Sequence, residues 1–400
     1  MANEIKKTGW IVVAAATGIN LVVGFLYSWS VIKKVLVAEQ HWSNFEASLP
    51  FTVSAIAFAL TMVFAGRLQD AFGPRIVATI GGVLFGTGIL VSGLVNSPMI
   101  MVLTYGVLGG IGIGLCYAAT TPPSVKWFPP AKKGMITGIV VSGVGMAAVY
   151  SAPLTSWLLS KYGLSTALFL LGVGSIIIVV SFAQFLKNPP TAPIATSTKV
   201  VNAPIINDSG WQQTIRSATF YKLWFMYAFA ASAGMMMISH LATIAKIQAH
   251  WENGFYLVAL LALFNTAGRL IAGYWSDRFG YTKMMLVVFS LQTINMLFFS
   301  HYITPLSLAL GTSLTGLSYG ALFSLFPSAT ADFYGMKNLG VNYGLVFTAW
   351  GLAGIIGPLL AGWVVDTTGS YQISYLVCAG LLVVASGLTF ITKHPHNTPA

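Results

Sequence analysis

Twelve apolar runs follow one another along the chain, each close to the roughly 20 residues that a helix needs to cross ~30 Å of hydrocarbon. They cover residues 10–32, 48–66, 75–95, 99–123, 134–160, 164–186, 221–246, 254–275, 283–303, 306–330, 339–365 and 370–392. In lipid, every backbone N–H and C=O must find a partner within the segment or in a closed barrel, so runs of this length are helices. A mean hydropathy of +0.78 and a charged share of 7% exclude a soluble globular domain. Cys116 and Cys378 lie inside apolar runs and have no ligand spacing, so neither a disulfide framework nor a metal site is expected. Lys6 and Lys7 precede a run too long for a signal-peptide core, and residues 10–32 are read as a retained first span.

The chain also repeats itself. "GRLQDAFGPR" (Gly66 to Arg75) returns as "GYWSDRFGYTK" (Gly273 to Lys283), shifted by 273 − 66 = 207 residues. Each copy follows the second span of its half. Residues 187–220 are rich in Pro, Thr, Ser and Asn without apolar periodicity. The expected organisation is a six-helix bundle over 1–186, a linker over 187–220 and a second six-helix bundle over 221–400. A duplicated multi-helix membrane half points to secondary transport. With the N-terminus inside, 15 of the 20 Lys and Arg fall in internal segments, four (Lys33, Lys34, Lys161, Lys246) in external ones, and Arg269 within a span. That asymmetry places both termini and the linker in the cytoplasm of an inner (plasma) membrane protein. It also accounts for the net charge of +11, so no nucleic-acid partner is expected.

The repeated loop resembles the signature of the major facilitator superfamily between its second and third spans. Gly66, Asp70, Gly73 and Arg75, with Gly273, Asp277, Arg278 and Gly280, form the expected conformational latch: the glycines allow tight turns, and the aspartates can meet helix N-termini and basic side chains. "TGW" at Thr8–Trp10 and "WFPPAKKGMITGIVVSG" (Trp127 to Gly143) resemble the monocarboxylate transporter family, the second also bacterial oxalate/formate exchangers. "LFNTAGRLIAGYWSDRFG" in the eighth span and "FPSATADFYG" after the tenth fit the same group. The resemblance implies a twelve-helix, two-bundle fold in which spans 1, 4, 7 and 10 line a central cavity. Small residues four apart, Gly106, Gly110 and Gly114 in the fourth span, suit close helix packing.

Arg269 is the sharpest candidate. A guanidinium in hydrocarbon is expensive, at about 2.5 kcal/mol or more, so it must face protein or water, or snorkel to the interface. Asn265, one turn away, extends a polar stripe on the same helix face. A guanidinium fork binds a carboxylate bidentately, and the resemblance implies that an arginine here contacts the substrate carboxylate. Oxalate-type exchangers carry a second cation where Trp350 stands, which favours a monoanion here. Animal relatives carry an aspartate where Asn265 stands, which removes the obvious proton acceptor. His240 in span 7 is left as a candidate both for binding and, with Arg269, for proton coupling, since imidazole titrates near neutrality; its other reading is a hydrogen-bonded packing residue. Tyr27, Tyr117, Tyr319 and Phe323 fall on cavity spans and are expected to shape an apolar pocket with hydroxyls in reach. Lys33 lies two residues from where animal relatives carry a first-span lysine and is read as an interfacial anchor.

These residues imply a carrier of small monocarboxylates of the lactate or pyruvate type, coupled to protons and working by alternating access. It would act as a monomer in the lipid bilayer, without cofactor or metal. Organic-anion exchange and facilitated uniport remain as alternatives. An unpaired Arg269 favours exchange, because only the loaded form is neutral enough to close dry. A channel would need a continuous polar file, and an intramembrane enzyme would need clustered His, Asp or Ser partners; the spans hold neither.

Overall fold

The computed structural model describes residues 2–128, 133–189, 209–335 and 338–392, which form helices and short connections without a strand. Among the described residues, eleven helices are long and apolar enough to cross a membrane. One of them, Lys133–Ala183, holds two spans, because Gly163 interrupts it at φ 73° and ψ 175°. Twelve spans result. Those used below are span 1 (Lys7–Glu39), span 2 (Glu46–Gly66), span 4 (Pro98–Lys126), span 7 (Ala218–Ala249), span 8 (Phe255–Ser276), span 10 (Pro305–Tyr334) and span 11 (Val341–Thr368), with span 5 running from Lys133 to the break at Gly163. Most of residues 187–220 lies outside the described residues; its described end carries a short helix, Trp211–Arg216.

The helices expose large apolar side chains such as Phe64, Leu103, Leu306 and Phe390 on their outer faces and turn small and aromatic ones inward. That distribution is expected where lipid covers the outside. Span 7 is buried on almost every side. Two close approaches position the functional residues. A methyl group on Gly320 would lie 1.9 Å from the Asn265 carbonyl oxygen, and one on Gly268 would lie 2.1 Å from that of Leu317. Spans 8 and 10 therefore touch backbone to backbone, which sets Arg269 beside Phe323. In the fourth span, Gly110 packs in the same way on the Ser54 carbonyl of span 2.

The two repeated loops share their geometry. Gly73 ends one helix at φ 80° and ψ 159°, and Gly280 ends another at φ 83° and ψ 144°. A residue with a side chain is strained at both.

On the face opposite the start of span 1 the two halves are joined. Asp366 accepts hydrogen bonds from the backbone N–H of Asn44 (2.8 Å) and of Phe45 (2.8 Å) and from the Asn44 amide (2.9 Å). Lys34 pairs with Glu252 beside it. Hydrogen bonding to the Lys34 ammonium holds the Glu252 carboxyl below its ordinary range. Deeper in, Thr52 Oγ1 donates to the Gly354 carbonyl at 2.8 Å.

Candidate substrate cavity

Arg269 is 8% exposed. Its Nε donates to Asn265 Oδ1 at 3.2 Å, and its Nη1 reaches across to the Val141 carbonyl of span 5 at 3.1 Å. The guanidinium carbon lies 4.3 Å from the centre of the Phe323 ring, a cation–π distance. Nη2 has no hydrogen-bond partner among the described residues, and neither has Asn265 Nδ2 on the fully buried amide beside it. No ion pair with Asp or Glu is formed by Arg269 among the described residues. The site thus presents a desolvated cation and unused N–H donors, which a carboxylate would satisfy.

A narrow cavity, with about 20 Å³ open to water, lies in front of Arg269. Tyr27, Tyr117 and Phe323 line it, together with Phe58, Phe347 and Trp350. Phe58 meets Tyr117 edge-on at 5.5 Å and Trp350 at 5.3 Å, while Phe347 stacks on Trp350 at 5.4 Å. Phe58 was open to discovery by the repeat, since 265 − 207 = 58 makes it the counterpart of Asn265. Phe347 had no comparable signal, and Trp350 drew notice only as a missing cation.

Two expectations change. Tyr319 stands behind the wall rather than in it, and its hydroxyl is occupied, accepting from Trp350 Nε1 at 2.7 Å and donating to Met235 Sδ at 3.2 Å. Span 7 contributes no residue to the lining, so His240 is not at the cavity.

His240 instead meets Lys33, and both are fully buried. Lys33 Nζ lies 2.5 Å from Nδ1 and 2.8 Å from Nε2 of the imidazole, and 3.0 Å from Ser48 Oγ. The Pro358 carbonyl, 2.9 Å from Nε2, can only accept, so Nε2 carries the hydrogen. Nδ1 is then the one acceptor of the ring, and Lys33 and the Tyr371 hydroxyl, 2.9 Å away, compete for its single lone pair. With Lys33 protonated, this tautomer gives the cluster a single positive charge. Lys33 is therefore no interfacial anchor: span 7 covers it, and His240 supplies the acceptor that lipid headgroups would otherwise provide. The two residues stand 207 positions apart, the same shift as the repeated loop.

The latch residues are placed less completely. Arg75 Nε donates to Gln184 at 2.6 Å, and Arg278 lies 4.4 Å over the Tyr274 ring, each within its own half. Gly66 and Gly273 flank those turns, and the side chains of Asp70 and Asp277 lie outside the described residues. Among the described residues no cluster of His, Cys, Asp or Glu could hold a metal ion, and both cysteines are free and buried.

Twelve spans in two repeat-related halves around a buried cationic cavity define a membrane transporter. The family profile of the Major Facilitator Superfamily matches residues 10–294 and 247–400, and the chain belongs to that superfamily, whose members here are transporters and not enzymes. It is similar to the uncharacterized MFS-type transporter YhjX of Escherichia coli, with 25% identity over 88% of this chain and 87% of that protein. It is similar to the oxalate:formate antiporter of Oxalobacter formigenes, at 25% identity over 93% of this chain and 88% of that one. Monocarboxylate transporter 13 of Bos taurus is 23% identical over 96% of this chain and 89% of its own length. Among solved structures, an inward-facing bacterial homolog of the human lysosomal transporter Spinster superposes with a TM-score of 0.72 at 15% identity, covering 96% and 97% of the two chains. The chain is thus a major facilitator of the kind that includes monocarboxylate transporters and the oxalate:formate antiporter.

Proposed function

We propose that this protein carries small aliphatic monocarboxylates of the lactate or pyruvate type, with residues 1–186 and 221–400 rocking about Arg269. The observation that carries the reading is the buried Nη2 of Arg269, a charged donor without a partner in front of an aromatic cavity. One carboxylate would complete it, and the apolar walls suit a short hydrocarbon tail. The absence of a second cation in the lining argues for one negative charge. The names of the oxalate:formate antiporter and of monocarboxylate transporter 13 support the same substrate class.

Coupling to protons is the preferred mode, with the Lys33–His240 cluster as the site: its members lie on opposite halves and meet in a fully buried contact. On this reading the face closed by Asp366 is the outer one, both termini are cytoplasmic, the membrane is the inner (plasma) membrane, and the monomer is the working unit. Arg269 favours a second reading, anion exchange, because it has no acidic partner and the empty carrier must close over a bare cation.

Uptake of labelled lactate into proteoliposomes tests both. A proton gradient driving uptake into substrate-free vesicles supports symport, whereas a strict need for internal anion supports exchange. Full activity in Arg269→Gln would remove the anchor and the substrate class with it.

A further inference from the structure

The wall of the cavity is held from behind at one point. Tyr319 is 2% exposed and packs edge-on against Tyr27 at 6.4 Å and Phe323 at 5.3 Å, while its hydroxyl takes the Trp350 N–H at 2.7 Å. Three lining side chains therefore depend on where this ring lies. The ring lies on bare backbone: a methyl group on Gly234 would come within 2.2 Å of Tyr319 Cδ2, 2.5 Å of Cγ and 2.9 Å of Cβ. Those are the inner atoms of the side chain, so rotating its far end gives no relief. The ring must leave the seat, and its displacement is passed to Trp350, Tyr27 and Phe323. The counterpart of Gly234 in the first half is Tyr27 itself, since 234 − 207 = 27. One copy of the position carries a wall and the other carries the space behind it.

We propose that the Gly234–Tyr319 seat sets the size limit of the transported acid. By letting Tyr319 sink into span 7, Gly234 holds the aromatic wall back from Arg269 and fixes the length of tail the cavity accepts. Neither residue touches substrate; both are positioning residues. The inference rests on the monocarboxylate reading.

The test is competition by straight-chain monocarboxylates of increasing length against labelled lactate uptake in proteoliposomes. In Gly234→Ala the longest acids accepted by the wild type should lose affinity by about tenfold per excess methylene, while the shortest acid changes least. Tyr319→Leu, which removes ring volume above an unaltered Gly234, should move the cut-off to longer acids. The double variant should fall between the two. A general structural defect lowers uptake of all the acids together, so the length profile separates the two roles. A profile unchanged in Tyr319→Leu overturns the seat even where Gly234→Ala does not insert. A wild type that takes up none of the acids overturns the monocarboxylate reading, whereas a series taken up with identical cut-offs in all variants overturns the seat alone.

Discussion

Removing His240 and removing Lys33 should have opposite consequences, although both break the same contact. In His240→Leu, Lys33 stays fully buried with only Ser48 Oγ, at 3.0 Å, to accept from its ammonium. Breaking a buried polar partnership around a retained charge costs about 3–5 kcal/mol. In Lys33→Met the charge leaves with little change of volume. His240 keeps Tyr371 and the Pro358 carbonyl, and Ser48 still donates to the Asn44 carbonyl at 2.7 Å. No buried donor is orphaned, so the change should stay within about 1 kcal/mol and can be stabilising. The double variant should then resemble Lys33→Met, giving a coupling energy of about −3 to −5 kcal/mol in a double-mutant cycle. Unfolding of the purified protein in mixed detergent and dodecyl sulfate micelles at neutral pH, run side by side on the four proteins, measures the ordering. Equal destabilisation by the two single variants would refute the single-charge description of the cluster, as would a cost below 1 kcal/mol for His240→Leu.

Arg269→Lys keeps the charge but loses the fork, the Nε bond to Asn265 and the reach to Val141; we expect substrate affinity to fall by about 30-fold or more, since losing one partner of a buried hydrogen-bonded charge pair costs about 2–5 kcal/mol. Equilibrium binding to the purified protein checks this, and wild-type affinity would dissociate the guanidinium from recognition. Gly73→Ala and Gly280→Ala should each destabilise by about 1–3 kcal/mol, because the space at both positions is open and only the backbone conformation resists. Comparable losses in denaturation support equivalent turns; a neutral effect at either contradicts the positive φ. The Glu252 carboxyl is held below its ordinary range by Lys34, so the ion pair is fully formed above that range and is lost as the pH falls through the lowered value. Glu252 is highly exposed, so Glu252→Gln at neutral pH should alter thiol labelling of a Thr52→Cys reporter by about threefold or less. A larger change would make this pair a principal closure of that face.

The spans were legible because lipid imposes one simple condition, an apolar run of fixed length, and Gly163 separates spans 5 and 6 within the stretch where the apolar pattern breaks. Arg269 was legible for the converse reason: a cation in an apolar run has few explanations. Tyr27, Tyr117 and Phe323 were placed at the cavity through resemblance rather than through any local pattern. The misplaced residues failed for identifiable physical reasons. Lys33 lies near a helix end, where a lysine ordinarily reaches water, and nothing on span 1 announces that span 7 covers it. Tyr319 sits at a cavity-facing register, but Gly234, 85 residues earlier, lets its ring retreat behind Trp350. Such outcomes depend on which helix packs on which, and a one-dimensional pattern does not carry that information.

Lys33 and His240 bring a residue into contact with its own duplicate, so the line relating the two halves passes close by their side chains. In a symmetric pair of separate six-helix subunits, whatever occupies this position faces an identical copy. Two histidines there can share a proton, whereas two charged lysines repel each other in a dry setting. A lysine facing a histidine needs two positions encoded independently. Joining the halves into one polypeptide supplies that independence, and the unequal pair is a feature that a homodimer of six-helix subunits has no means to encode.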